Sequence, residues 1–135
     1  MSATRFRLAM GRFRLALENL DEALAGPADV KAYRDSTILS FTSIYELAWN
    51  SMKLGLAEVG IDARNPKAAF QHAYQQGWID NERFWLDMLE DRNLVVHTYN
   101  EGLALEIYGR IRDDFAPESR RIHRFLDRQF SDLLR

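Results

Sequence analysis

The chain has 135 residues, 47% hydrophobic and 12% aromatic, so it is long enough to bury a core and too apolar for intrinsic disorder. A formal net charge of −2 offers no global attraction for nucleic acid, so any such binding has to be local. The absence of cysteine removes disulfides, thiol nucleophiles and cysteine–zinc sites, and suits a cytoplasmic protein.

The opening MSATRFRLAM lacks the apolar centre of a secretion signal, and no run approaches the ~20 apolar residues that span a membrane. No stretch alternates β-branched with polar residues, and the hydrophobic period is helical throughout. The expectation is an all-α protein: one domain over residues 1–135, folded as an up-and-down bundle of four to five antiparallel helices with short loops.

The first helix is expected from Ser2 to Ala25, where Phe6, Met10, Phe13, Leu17, Leu20 and Leu24 form one apolar stripe. Gly26-Pro27 ends it, glycine permitting a left-handed cap and proline refusing to continue the ladder. Its Arg5, Arg7, Arg12 and Arg14 read either as a solvated flank or as a strip facing phosphate. The second helix is expected from Asp35 to Val59, capped by Asp35 or Ser36, with Ile38, Phe41, Tyr45, Ala48, Met52, Leu56 and Val59 inward and Trp49 widening that face. Glu46, between Tyr45 and Trp49, is either a solvated acid or the partner of a desolvated arginine, for which Arg92 is the candidate.

Asn65-Pro66 opens a short third helix that stops at Gly77, and His72 on it reads as a surface histidine. Asp80 is expected to cap the fourth helix, behind a staple of Trp78 and Ile79. Trp85, Leu89, Arg92, Val96 and Tyr99 then follow a four-three-four-three spacing, which places an arginine in an apolar seam. Asn100 caps a fifth helix from Glu101 to Asp114, Pro117 marks a break, and a last helix carries Ile122, Phe125, Leu126, Phe130 and Leu133.

The stretch DRNLVVHTYN, Asp91 to Asn100, carries the chemistry. Arginine suits a phosphate because its planar fork matches the oxygens, and histidine titrates near neutrality. Cleaving RNA through the ribose 2′-hydroxyl needs a base, an acid and a cation, and no metal. One histidine does not easily serve both sides of the phosphate. Moreover, Arg92 and His97 are five apart, about 140° around a straight helix. Either the helix bends or ends near His97, or the Arg92 side chain reaches around, or a second copy completes the pocket as a two-fold homodimer.

Arg92–x4–His97–x–Tyr99 resembles the signature of HEPN-domain proteins of the HepT-like branch. The segments YELAWNSMK, FQHAYQQGWID and WLDMLEDRNLVVHTYNE are similar, in order and spacing, to the nucleotidyltransferase substrate-binding protein family. The resemblance implies a helical bundle, usually dimeric, paired with a minimal nucleotidyltransferase from a neighbouring gene. In its toxin–antitoxin form it implies a metal-independent endoribonuclease without cofactor, with Arg92 and His97 catalytic and Asn93 the polar residue after the arginine; Asp91 and Glu46 are expected to support them. The nucleotidyltransferase would silence it by moving AMP from ATP onto Tyr99, putting bulk and charge where RNA phosphate must sit. The alternative it implies is a non-catalytic substrate-binding subunit of a two-component nucleotidyltransferase.

Overall fold

The computed structural model describes residues 2–97 and 100–135; of these, the side chains of Ser2, Val96 and His97 are not described. The elements are α1 (Ser2–Ala25), α2 (Lys31–Glu58), α3 (Pro66–Gln75), α4 (Glu82–His97) and α5 (Glu101–Arg110). A π-helical turn (Ile111–Phe115) leads into α6 (Ala116–Gln129), and a short 3-10 turn (Ser131–Leu133) follows. Among the described residues there is no strand, and the chain is an all-α bundle. No described helix is long and apolar enough to cross a membrane.

The stripe expected on α1 is the one it buries. Phe6, Phe13 and Leu20 are fully enclosed, and Met10 and Leu17 nearly so. Contacts run Asp21 to Arg120 and Met10 to His123 between α1 and α6, then Arg7 to Leu133 in the turn after α6, so the two helices are antiparallel. Tyr45 and Glu46 on α2 reach Trp85 and Arg92 on α4, and Gly55 further along α2 lies against Trp78 in the segment before α4.

At the centre, Phe41, Tyr45, Phe70, Trp85 and Phe115 bring α2, α3, α4 and the π-helical turn together. Ring centroids lie 4.8 Å apart for Phe41–Phe115 and 5.3 Å for Phe70–Trp85, the edge-on and offset arrangements aromatic quadrupoles favour. Both polar handles in this cluster are satisfied. The Tyr45 hydroxyl donates to the Trp85 carbonyl at 3.0 Å, and Trp85 Nε1 donates to Glu118 at 3.2 Å.

Several boundaries differ from expectation. Helix α2 begins at Lys31, not at Asp35, behind an extended Val30 that supplies no side-chain cap. Asp35 instead accepts from Lys31 at 2.6 Å, an i,i+4 pair inside the helix. Gly26 does end α1, but not through a left-handed cap: the positive-φ glycines among the described residues are Gly60 and Gly77. A Cβ at Gly26 would lie 2.0 Å from the Tyr33 ring, so the ring occupies the space a side chain there would need. The cap of α4 is Asn81, which accepts from the Phe84 amide at 3.0 Å, rather than Asp80.

Pro117 does not break the chain. It sits in the first turn of α6, immediately after the π-helical turn, and the wider turn relieves the clash of its ring with the carbonyl four residues back. That turn has a cause in the sequence. The inward residues Ile107, Ile111, Phe115 and Ser119 recur every four positions, which drifts about 40° per step on an α-helix. One wide turn takes up the drift and keeps Phe115 in the core.

Trp85 has no exposed surface and joins three layers of the bundle. Trp85→Ala should lower the unfolding free energy by about 3–5 kcal/mol in a urea titration. Trp85→Phe should cost less, losing mainly the Nε1 bond to Glu118.

Candidate functional site

The Tyr45–Trp85 contact fixes where α2 and α4 touch, and the next side chains outward make the site. Glu46 follows Tyr45 directly, and Arg92 lies two turns beyond Trp85. Arg92 Nη2 donates to Glu46 Oε1 in an ion pair at the shoulder where the two helices open to solvent. The Arg92 side chain is 29% exposed and that of Glu46 is 47% exposed.

The other Glu46 oxygen accepts from Trp49 Nε1 at 2.9 Å, and Arg92 Nη1 donates to the Asn93 side-chain oxygen at 3.3 Å. Lys53 stands 6.0 Å over the Trp49 ring. Glu46 therefore uses both oxygens to aim two side chains, while the guanidinium keeps further N–H donors turned to neither partner. Burial pushes the Tyr45 phenol far above its usual range, with Arg92 pulling it down and Glu46 pushing it up. The phenol stays protonated and serves as a fixed donor.

Arg92 is not in the middle of the buried seam, as its spacing suggested. The inward face of α4 runs through Trp85, Met88 and Asp91, and Arg92 lies on its edge. The charge that is buried belongs to Asp91, only 6% exposed. Its carboxylate takes both prongs of Arg110 on α5, at 2.7 and 2.8 Å, and this pairing raises the Arg110 pKa. Asp91 thus turns away from Arg92 and ties α4 to α5 one residue before it.

Of the residues the sequence singled out, the structure brings together Arg92, Asn93 and Glu46. The α4 backbone is helical as far as His97, so the helix does not end before that position. The His97 side chain and the whole of Tyr99 lie outside the described residues. Asn100 caps α5, accepting from the Leu103 amide at 3.0 Å. Sequence reasoning missed the Trp49 bond to Glu46, for which the three-residue spacing was a usable signal. It also missed Arg110, nineteen positions from Asp91, for which no local signal existed.

Comparison with known proteins bears on the fold and the family. A protein of Thermus thermophilus, known from its crystal structure, superimposes with a TM-score of 0.68 at 29% sequence identity, over 91% of this chain and 99% of the other. A search of curated protein sequences finds no significant match. The profile of proteins described as nucleotidyltransferase substrate binding protein like matches residues 7–128, which takes in α2, α4 and the Glu46–Arg92 shoulder. The chain belongs to that nucleotidyltransferase substrate binding protein like family.

Proposed function

We propose that this chain is the helical partner of a separate minimal nucleotidyltransferase and that the Glu46–Arg92 shoulder is where a phosphate-bearing substrate is held. The observation that carries the reading is the aim of Arg92. An arginine at a helix–helix edge, held by one carboxylate and still offering donors, is a positioned phosphate receptor rather than a buried structural ion. Family membership supports the nucleotidyltransferase as the protein it works with.

The helical backbone of α4 supports a site completed by another chain. Positions 92 and 97 are about 140° apart on that helix, and the Arg92 side chain is engaged toward α2 rather than wrapped around α4. This favours a pocket that takes one of the two residues from a second molecule. A homodimer paired through α4 meets that need.

A second reading assigns chemistry to the same residues. The chain keeps the whole Arg92–x4–His97–x–Tyr99 pattern of the HepT-like HEPN proteins. On this reading it is the toxin of a toxin–antitoxin module, an endoribonuclease acting on RNA without a metal. His97 would move the proton, Arg92 would balance the phosphorane charge, and AMP transfer to Tyr99 would shut the site.

The pair itself should be worth little to the fold. A double-mutant cycle of Glu46→Gln and Arg92→Gln should give a coupling of about 1 kcal/mol or less in chemical unfolding, because both groups are partly hydrated. Arg92→Gln should nonetheless weaken nucleotide or RNA binding by about tenfold or more. Strong coupling with no loss of phosphate affinity would reduce Arg92 to a structural ion.

The two readings separate in one set of assays. On the second reading, incubation with ATP and the neighbouring nucleotidyltransferase should add AMP to the Tyr99 peptide by mass spectrometry, and Tyr99→Phe should abolish the increase. Purified protein should cleave RNA if the second reading holds, with Arg92→Ala and His97→Ala both inactive and still dimeric. Cleavage that survives in both variants sinks that reading, whereas a stable nucleotidyltransferase complex without cleavage leaves the first.

A further inference from the structure

The basic group on α1 has no part in the Arg92 site. Most arginines in the structure sit within 4.0 Å of an Asp or Glu side-chain carboxylate. Among the described residues, the ones that do not are Arg5, Arg7, Arg12 and Arg14 on α1, with Arg124 and Arg128 on α6. The first half of α1 therefore keeps its positive charge in a protein whose net charge is negative.

Two of these side chains face a cleft. A hollow of about 280 Å³ lies along the α1–α6 seam, lined by Arg7, Gly11, Arg14, His123 and Asp127 together with Met10 and Leu134. Arg7, Gly11 and Arg14 are four and three residues apart, so they share one face of α1. Arg7 is oriented by the main-chain oxygens of Leu133 and Arg135, at 3.1 and 3.3 Å. Arg14 has no such tether and no acid within ion-pair distance.

Gly11 sits between them. A Cβ placed there would meet no atom within 4 Å, so packing does not demand a glycine. A glycine inside a helix costs about 1 kcal/mol relative to alanine. What it leaves is bare helix backbone between two guanidinium groups. His123 forms a fixed wall: its Nε2 lies 3.2 Å from the Met10 carbonyl, to which it donates, and its ring stands edge-on to Phe13 at 4.9 Å. Asp127 is the single acid on the lining.

We propose that this cleft is a second anion site, which takes a phosphate group between Arg7 and Arg14 over Gly11. Arg14 supplies the charge, Arg7 the oriented fork, and Asp127 opposes the anion and keeps affinity modest. The site uses no residue of α2 or α4, so it stands apart from the Arg92 reading. The phosphate group belongs either to a small phosphorylated molecule or to an RNA backbone, and the two share this chemistry.

The test follows the imidazole signals of the full chain by NMR while inorganic phosphate or pyrophosphate replaces chloride at constant ionic strength. The His123 signal should shift saturably. Arg14→Gln should weaken that binding about tenfold, and Asp127→Asn should strengthen it several-fold. Arg124→Gln removes an equally unpaired arginine outside the cleft lining and should change nothing. A short oligoribonucleotide that displaces pyrophosphate at His123 identifies the ligand as RNA backbone; failure to displace it identifies a small phosphate. Absence of a saturable shift overturns the site. So does a shift unchanged in Arg14→Gln, and so does an equal loss in Arg124→Gln, which would reveal only diffuse charge. Arg14 is exposed, so an unchanged unfolding midpoint confirms that its variant is folded.

Discussion

The position of the site depends on one buried contact, the hydrogen bond from the Tyr45 hydroxyl to the Trp85 carbonyl inside the aromatic cluster. It fixes the register of α2 against α4. Slipping one helix past the other by a turn, about 5.4 Å, would bury an orphaned phenol and separate Glu46 from Arg92. The ion pair cannot set that register itself. A half-hydrated pair contributes about 1 kcal/mol at most, against several for each buried aromatic ring. The core decides where the two helices meet, and the polar shoulder is carried along. A second clamp acts from the other side, where Asp91 and Arg110 join α4 to α5.

How far the sequence reveals this varies with how local each cause is. The α1 stripe is legible in full because a helix against one core needs only its own three-four spacing. On α4 the spacing points one position too far. Arg92 fits an apolar pattern and Asp91 does not look like a core residue, yet the acid is the buried one. An aspartate becomes tolerable inside once an arginine nineteen residues later takes both its oxygens, and that partner leaves no trace in the local pattern. Pro117 misleads for the opposite reason. A proline reads as a break on its own, whereas the four-residue recurrence from Ile107 to Ser119 is the signal for a wide turn that accommodates it.

Gly26 shows the same limit at a smaller scale. The helix ends where the glycine says it should, but without a left-handed backbone, and the Tyr33 ring fills the space a side chain there would take. Boundaries can therefore be right while the mechanism assigned to them is wrong. For the site, the Glu46–Arg92 partnership is readable because a desolvated arginine needs an acid and the neighbouring helix offers one beside its apolar stripe. Trp49 as the second partner of Glu46 is signalled by their three-residue spacing, though that spacing alone does not fix the rotamers that make the bond.

The two arginine settings differ in a way that bears on what each can hold. Arg92 already has a carboxylate, so a phosphate arriving there must share or displace Glu46, and the net electrostatic gain is small. Such a group orients an anion more than it attracts one, which suits a site where a second molecule supplies part of the binding. Arg14 has no carboxylate to give up, so its full charge is available, tempered by Asp127 across the cleft. In a chain whose total charge is negative, attraction has to come from groups of the second kind and alignment from groups of the first.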